Sequence, residues 1–325
     1  MSSFKNRTYL IAEIGINHEG DYNLCKKMVK EASICGVDAI KLQTINPDKN
    51  YTQQTKSYEI FKGSELTKKE TADIFRYAKS LNLDFFTTAG DTETIDWIDE
   101  LSPTHWKISS GLLTHLPVVS HIAKKNRPII LSTGMAYPHE IKSALECIKL
   151  SGNENISILQ CSSIYPCPKD EINLAAIPWL KKEYGYKVGF SDHSIGINAA
   201  VLAVAIGAEI IEKHFTFDKN RPGFDHGISV DASELKIMVD EIREAEILIG
   251  SSEKIISKRI QESRDHFLRY IVASRQIDKG DIFTVSNIDI KRTSVNKPGL
   301  EPSKYNKILG MKATKKFEVD DLINI

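Results

Sequence analysis

The chain has 325 residues, of which 41% are hydrophobic, enough for one large domain with a substantial core and a small second domain. Lysine plus arginine and aspartate plus glutamate number 43 each, so no global field favours nucleic acid or an anionic membrane as a partner. No stretch approaches the roughly 20 apolar residues of a membrane span, and the N-terminus offers no long apolar signal core.

The cysteines form an odd, scattered set without Cys-x-x-Cys spacing, at Cys25, Cys35, Cys147, Cys161 and Cys167. This usage is typical of a reducing compartment and predicts buried or incidental thiols rather than disulfides. Together with the missing signal core, it predicts a cytoplasmic protein.

Eight short runs rich in Ile, Val, Leu and Phe recur along the first two thirds of the chain. They cover residues 9–16, 38–44, 84–88, 105–111, 128–134, 156–163, 187–193 and 210–216. The segments between them have helical spacing, as where Leu24, Met28, Val29 and Ala32 share one face. Apolar strands alternating with helices indicate parallel strands covered by helices, and eight such units predict a closed (β/α)8 TIM barrel. An open doubly wound sheet is the alternative.

Polar groups fall at or just after the ends of these runs, where active sites lie in a barrel of this kind. A capping residue or a surface lysine would explain any one of them, but not the whole set. They are Glu13, Lys41, Gln43, Thr88, Lys107, Ser110, Ser132, Thr133, Tyr165, Asp192, His193, Lys213 and His214.

The hydrophobic pattern of the last part of the chain differs from that of the first two thirds. Helical patterning at 232–249 closes the barrel, which predicts a first domain over residues 1–255 and a charged linker over 256–266. Residues 267–325 show short alternating segments and turn residues, which indicate a small β-rich domain. Within it, RQIDKGDIF and KKFEVDDLI resemble each other and hint at an internal repeat. A module of this size has little core of its own, so we expect it to dock on another surface.

Seven motifs in order carry a resemblance to a known family: IAEIGINHEG, IKLQT, KISSG, ILSTGM, CSSIYP, GFSDHS and IEKHFT followed by KNRPGFD. Together they resemble N-acetylneuraminate (sialic acid) synthases, including legionaminate and pseudaminate synthases. The C-terminal module is similar to the antifreeze-like (SAF) domain of these enzymes. The resemblance implies a phosphoenolpyruvate-dependent transferase that condenses phosphoenolpyruvate with an N-acylated hexose and releases phosphate.

The resemblance implies a phosphoenolpyruvate pocket built from cations and hydroxyls, which suit a phosphate and a carboxylate. Lys41 faces the carboxylate in this interpretation. The phosphate is held by Lys107, Ser110, Ser132 and Ser191, and Ser163 also contacts substrate. A surface charge is the alternative for each lysine, although a lysine inside an apolar strand is costly unless it is paired.

His193 and His214 each end an apolar run, and neutral imidazole is the commonest protein ligand for metals. They resemble the two histidines that hold a divalent metal in the family, usually Mn2+ or Mg2+. A metal with two protein ligands keeps positions for water and the sugar, and can polarise the aldehyde of an aldose. A structural histidine is the alternative for either residue alone.

The remaining expected site residues concern protons and the sugar. Glu13 is expected to act as a general acid or base or to bind the sugar. The expected catalytic residues are therefore Glu13, Lys41 and His214. By resemblance, Asp225 meets sugar hydroxyls, and Gln43, Thr88 and Tyr165 line the same pocket.

Arg292, in IKRT, matches the position of the arginine that reaches the sugar in the family. The module that carries it covers the barrel mouth of a partner subunit there, so the resemblance implies a domain-swapped homodimer. A planar guanidinium can pair with hydroxyl or carbonyl oxygens without losing its charge. A solvated surface arginine is the alternative.

Three positions depart from the family pattern and leave the acceptor sugar open. Leu112 stands where the family has a glutamate, TTAGD replaces the usual STPF, and Ser163 replaces an asparagine. Two other functions remain as alternatives. One is a Schiff-base pyruvate aldolase that uses Lys107 or Lys213 as its amine, and the other is a catalytically idle sugar-binding barrel.

Overall fold

The computed structural model describes residues 7–223, 225–293 and 299–324. The chain forms two compact units that meet in sequence between Gly250 and Ser251. No helix in the described ranges is long and apolar enough to cross a membrane.

The first unit is a closed barrel of eight parallel strands in sequence order, so the predicted TIM barrel is confirmed and the open sheet is wrong. The strands are β1 (Tyr9–Gly15), β2 (Ala39–Gln43), β3 (Asp84–Thr88), β4 (Trp106–Ile108), β5 (Ile129–Ser132), β6 (Ile156–Cys161), β7 (Lys187–Asp192) and β8 (Ile210–His214).

Helices follow the barrel strands along the first unit. They are α1 (Tyr22–Cys35), α2 (Pro47–Asn50), α3 (Lys56–Gly63), α4 (Lys68–Ser80), α5 (Thr92–Glu100), α6 (Leu116–Ala123), α7 (Pro138–Leu150), α8 (Ala176–Tyr184), α9 (Asn198–Ala205) and α10 (Ala232–Ile249). The bounds of α10 are those that the sequence pattern predicts. Its N-terminus is a capping box, in which Asp231 accepts from the backbone of Glu234 while the Glu234 side chain reaches back.

The barrel interior is filled by apolar side chains at the amino ends of the strands. This inner cluster contains Ile11, Ala39, Phe86, Ile130, Leu159 and Ile210, and a second, larger apolar cluster lies between the strands and the helices. Gly189 on β7 has no space for a side chain, because a Cβ there would lie 2.6 Å from Leu159 and also meet the backbone of Ile210. The closed interior leaves room for chemistry only at the carboxyl ends of the strands.

Parallel register decides which polar residues become neighbours. Glu13 pairs with Lys41 on one side and with His214 on the other. Since alternate residues of a strand point to the same side, Glu212 faces the interior with His214, while Lys213 faces the helices.

The second unit has a small core around a two-stranded antiparallel sheet, β9 (Arg269–Ala273) and β10 (Ile288–Arg292). It also contains the helices α11 (Lys258–Phe267) and α12 (Tyr305–Ile308). Most of the stretch predicted as a linker is therefore helical. Ser257 caps this helix by accepting from Ile260 N. Among the ten residues of the helix, Ile260 and Phe267 are the apolar ones, a composition that resembles a charged linker.

The two similar segments of the second unit form a structural repeat. Ile277 and Phe317 exchange two backbone hydrogen bonds of 2.9 Å. Each is followed by the same turn, in which the Asp281 carboxylate accepts from Asp278 N at 2.9 Å and the equivalent Asp321 carboxylate accepts from Glu318 N at 2.7 Å. Gly280 and Asp320 occupy matching turn positions with φ of 95° and 69°. The loose sequence repeat thus reflects two copies of one turn.

Candidate active site

A cavity of about 410 Å³ opens at the carboxyl ends of the barrel strands. It brings together most of the site residues expected from the sequence, contributed by all eight strands and the loops that follow them. These are Glu13, Lys41, Gln43, Thr88, Lys107, Ser110, Ser132, Ser163, Tyr165, Ser191, His193 and His214.

The floor of the cavity is a buried network of two lysines and two glutamates. Lys41 Nζ lies 3.0 Å from Glu13 Oε1 and 3.5 Å from Glu212 Oε2. Lys107 Nζ lies 3.4 Å from Glu212 Oε1 and donates to Ser132 Oγ at 2.8 Å. All four charged side chains are almost fully buried, so each lysine depends on its carboxylate partners while no anion is bound.

Glu212 is not among the residues expected from the sequence. It lies two residues before His214 in IEKH, and the period of two along a strand puts both side chains on the inner face. A glutamate in a run that otherwise reads as buried strand was the available signal, because such a carboxylate requires a partner.

The two carboxyl groups of the floor have opposite pKa shifts. Burial disfavours ionisation of Glu212, but Lys107 and Lys41 outweigh burial and lower its pKa to about 2. Burial is the dominant effect at Glu13 and raises its pKa despite the nearby Lys41. Glu212 is therefore the permanent counter-charge of the lysines, whereas Glu13 is suited to holding and releasing a proton.

Glu212→Gln should lower the free energy of unfolding at neutral pH by about 3 kcal/mol, because the ionised carboxylate that the two lysines stabilise is lost. A lowered pKa contributes stability above the unfolded-state value of 4.5, and this stability is lost as pH falls towards about 2. The difference from the wild type should therefore shrink below about pH 4.5.

Urea unfolding between pH 7 and pH 3 measures this difference. Glu154→Gln, at an exposed site, is the matched control and should stay within about 0.5 kcal/mol of the wild type throughout. A constant gap between Glu212→Gln and the wild type across the pH range would contradict the ionic role.

The two lysines also differ from each other. Burial lowers the pKa of Lys107, with Glu212 as its main counter-charge. At Lys41 the coulombic effects of Glu13 and Glu212 outweigh burial and raise the pKa. Lys41 is therefore held firmly as a cation, and Lys107 gains most from a further anion in the cavity.

Several serine hydroxyls line the same cavity as Lys107. Ser132 accepts from its amine, and Ser110 Oγ accepts from the backbone of Gly134 at 2.9 Å. Ser191 Oγ donates to Glu212 Oε1 at 2.8 Å, while Ser163 Oγ lies 4.0 Å from Cys161 Sγ. The serines can thus offer hydrogen bonds to several oxygens of one anion beside the amine.

His193 and His214 face each other, with 5.3 Å between ring centroids. His193 Nδ1 lies 2.9 Å from Ser162 O, and since a carbonyl only accepts, Nδ1 carries the proton. Its Nε2 then accepts from the Tyr165 hydroxyl at 3.0 Å. His214 Nδ1 is buried without a hydrogen-bond partner, and burial keeps the pKa of this ring well below its usual range.

Two imidazoles with available nitrogens fit a divalent metal. Across residues 7–223, 225–293 and 299–324, no group of three or more His, Cys, Asp or Glu side chains is placed to hold one. A metal here would have two protein ligands and several positions for water and substrate oxygens. At His193, burial opposes the charged ring, but Cys161 and the Ser162 carbonyl outweigh it and raise the pKa. A proton therefore competes with a metal at this ring as pH falls.

Asp225 lies on the loop after β8, outside the residues that line the cavity. Its Oδ2 is 3.5 Å from His214 Nδ1, and burial raises its pKa. Arg292 is the last residue of β10 in the second unit, where its exposed guanidinium lies 4.8 Å from the ring centroid of Phe267.

Several other residues line the cavity that were not among the expected site residues. They are Ile45, Asn50, Tyr51, Phe61, Ser109, Gly111, Met135 and Cys161. Leu112, which stands where the family has a glutamate, also lines it. Tyr51 and Phe61 stack at 5.3 Å. With Leu112 and Met135, they add large apolar side chains to the lining of the cavity.

Lys213 is outside the cavity and cannot serve as its amine. Its side chain is fully buried, and Nζ bonds Asp192 Oδ2 at 2.9 Å and Ser194 O at 2.5 Å. This pair locks β7 to β8 behind the two histidines. Lys107 is the amine that remains for a Schiff-base mechanism.

Comparison with known proteins agrees with this architecture. Residues 28–254 match the model of the NeuB family, and residues 269–324 match that of the SAF domain. An uncharacterized protein of Methanocaldococcus jannaschii is 40% identical over 97% of this chain and 93% of its own length. The N,N'-diacetyllegionaminic acid synthase of Campylobacter jejuni is 37% identical, covering 98% of this chain and 99% of its own.

Among solved structures, the N-acetylneuraminic acid (sialic acid) synthetase of Leptospira borgpetersenii, in complex with citrate, is 33% identical with a TM-score of 0.77. The match covers 81% of this chain and 93% of that one.

Proposed function

The chain belongs to the NeuB family, and from that premise we propose that it is a nonulosonic (sialic) acid synthase. It condenses phosphoenolpyruvate with an N-acylated hexose, such as N-acetylmannosamine or a diacetamido-trideoxyhexose, and releases phosphate. The relatives named as sialic or legionaminic acid synthases support a biosynthetic synthase. We propose a cytoplasmic location for it.

The observation that carries the proposal is the pair of buried lysines with hydroxyls around them. Lys107 and Ser132 are in contact, and Ser110 and Ser191 line the same cavity. A phosphate needs several donors and a cation in a partly desolvated place, and a carboxylate needs a second cation. Lys107 with the serines would hold the phosphate, and Lys41 would hold the carboxylate.

The reaction joins C3 of phosphoenolpyruvate to the aldehyde carbon of the sugar. Water adds at C2, and phosphate then leaves with the bridging oxygen as the C2–O bond breaks. Glu13 would give a proton to the oxygen that was the aldehyde, because its raised pKa keeps it protonated more readily than an exposed carboxyl. Gln43 Nε2 donates to Glu13 Oε1 at 2.8 Å and orients this group.

His193 and His214 would hold the metal, Mn2+ or Mg2+, which when bound supplies a Lewis acid for the sugar aldehyde and for water. Asp225 lies beside His214 and can accept hydrogen bonds from sugar hydroxyls. Tyr51, Phe61 and Leu112 line the cavity with apolar surface, which limits the polar groups that the acceptor can present to them.

Incubation with phosphoenolpyruvate, Mn2+ and a panel of aldoses tests the function. Mass spectrometry should show a product three carbons larger, and oxygen-18 placed in the bridge of phosphoenolpyruvate should appear in inorganic phosphate. A pyruvate adduct trapped by borohydride would favour the aldolase instead. No product with any sugar would favour the idle sugar-binding barrel.

We further propose a domain-swapped homodimer in which Arg292 reaches the aldose in the partner subunit's barrel. Arg292→Ala should then raise the KM of the aldose far more than that of phosphoenolpyruvate. Mixing Arg292→Ala chains with His214→Ala chains tests the exchange, because a heterodimer holds one site with both defects and one with neither. If proven subunit exchange restores no activity, Arg292 does not act across the dimer.

A further inference from the structure

The loop after β8 is tied to the loop after β1 by a charged cluster outside the cavity. The Glu19 carboxylate accepts from Arg221 Nε at 2.8 Å and from Arg221 Nη2 at 3.0 Å. It also accepts from His226 Nε2 at 2.9 Å. Glu19 belongs to the NHEG motif and Arg221 to RPGFD, yet neither lines the cavity. The proposed reaction gives them no role.

His226 is clamped at both ring nitrogens and is only 1% exposed. A carboxylate only accepts hydrogen bonds, so His226 Nε2 carries the proton and donates this bond to Glu19. Nδ1 then accepts from the Thr216 hydroxyl at 2.7 Å. Asp225 directly precedes this ring in the chain, so its backbone has little freedom while the clamp holds.

A second tie secures the base of the same loop. Asn17 Nδ2 donates to Phe215 O and to Ser229 Oγ, both at 3.0 Å. Ser229 Oγ in turn donates to Asp225 O at 2.5 Å. These bonds fix the two ends of the loop, whereas Glu19 reaches its middle. The Glu19 contacts carry charge, and a bidentate arginine contact is also geometrically specific. A separate ion pair, Lys219 with Glu234 at 2.8 Å, ties the start of the loop to α10.

We infer that Glu19 is a positioning residue, which holds the described parts of the loop after β8, residues 218–223 and 225–229, so that Asp225 stays beside His214 at the sugar end of the site. This inference rests on the proposed function. A displacement of about 1 Å at a substrate-positioning group can lower activity about 100-fold. Asp225 lies beside His214 and outside the cavity lining that contains Lys107 and the serines, so the effect concerns the aldose rather than phosphoenolpyruvate.

Steady-state kinetics of Glu19→Ala and Glu19→Gln test the inference. Glu19→Ala should raise the KM of the aldose at least about tenfold, with the KM of phosphoenolpyruvate changed less than about twofold. Glu19→Gln keeps one accepting oxygen, so its KM for the aldose should lie between those of the wild type and Glu19→Ala. Adding Arg221→Ala to Glu19→Ala should cause little further loss, because the two residues act as one unit.

Asp99→Ala is the matched control. Asp99 accepts from Arg127 Nε at 2.6 Å near the amino ends of the strands, so its loss removes a similar ion pair far from the cavity. It should leave both KM values unchanged. Equal rises of both KM values in Glu19→Ala, or no rise in either, would overturn the inference.

Hydrogen exchange of the loop decides the question independently of turnover. Backbone amides of residues 225–229 should exchange at least about tenfold faster in Glu19→Ala than in the wild type or Asp99→Ala. Unchanged exchange would overturn the positioning role. A wild-type chain that makes no product with any aldose would count against the proposed function alone, since the exchange comparison does not need substrate.

Discussion

Replacing His193 and His214 together by alanine should remove Mn2+ binding and abolish turnover while the protein still unfolds cooperatively. The two rings face each other across 5.3 Å, and the described residues contain no group of three or more His, Cys, Asp or Glu side chains that could hold the metal in their place. Chelation of the wild type should likewise abolish turnover, and Mn2+ should restore it. Each single variant should lose most of its metal affinity, because one imidazole with waters is a weak site.

Titration of Mn2+ by electron paramagnetic resonance measures the affinity, and calorimetric unfolding monitors the fold. His139→Ala is the matched control, since His139 is exposed and stacks only on Tyr137. It should bind Mn2+ like the wild type. Affinity should also fall between pH 7 and pH 5, because the raised pKa of His193 lets a proton compete for the ring. Full activity in the double variant would disprove the metal assignment.

Lys107→Met should raise the KM of phosphoenolpyruvate at least about 100-fold and leave the KM of the aldose nearly unchanged. Methionine keeps the volume of the aliphatic stem but removes the cation from the cavity. The loss corresponds to about 3 kcal/mol, which is the magnitude of a charge-assisted contact in a desolvated site. Glu212 keeps Lys41 as a counter-charge, so the variant should still fold.

Lys187→Met is the control for a lysine at the opposite, exposed end of another barrel strand, β7, and it should change neither KM. The aldolase alternative also requires Lys107, so the two mechanisms are separated by trapping rather than by activity. Borohydride with pyruvate should label Lys107 only if a Schiff base forms. A wild-type enzyme that is labelled, and that needs no phosphoenolpyruvate, would contradict the synthase mechanism.

Most of the barrel and much of the site could be predicted because their signals are local. Each strand is a short apolar run, and each run ends at a polar residue whose position along the strand is visible in the sequence. Expected residues such as Lys41, Lys107 and His193 therefore lie in one cavity. The helix α11 was missed because eight of its ten residues are polar or charged, so the segment resembled a linker.

Glu212 and Lys213 show what local sequence patterns could not predict. They are adjacent in sequence, and both are charged residues in a buried strand, yet Glu212 joins the cavity floor and Lys213 pairs with Asp192 behind it. Their partners lie on strands that are distant in sequence. Only the closed register of the barrel decides which carboxylate meets which lysine.

By itself, the sequence determined the order of strands and helices, the inward or outward alternation within each strand, and the chemistry available at each strand end. These follow from periodicity and from the cost of burying a polar group without a partner. The tertiary structure decided the pairing of Glu212 with Lys41 and Lys107, the facing of the two histidines, and the clamp of Glu19 on Arg221 and His226. Such contacts join residues up to about two hundred positions apart, and their distances depend on strand register and loop geometry, which no local pattern encodes.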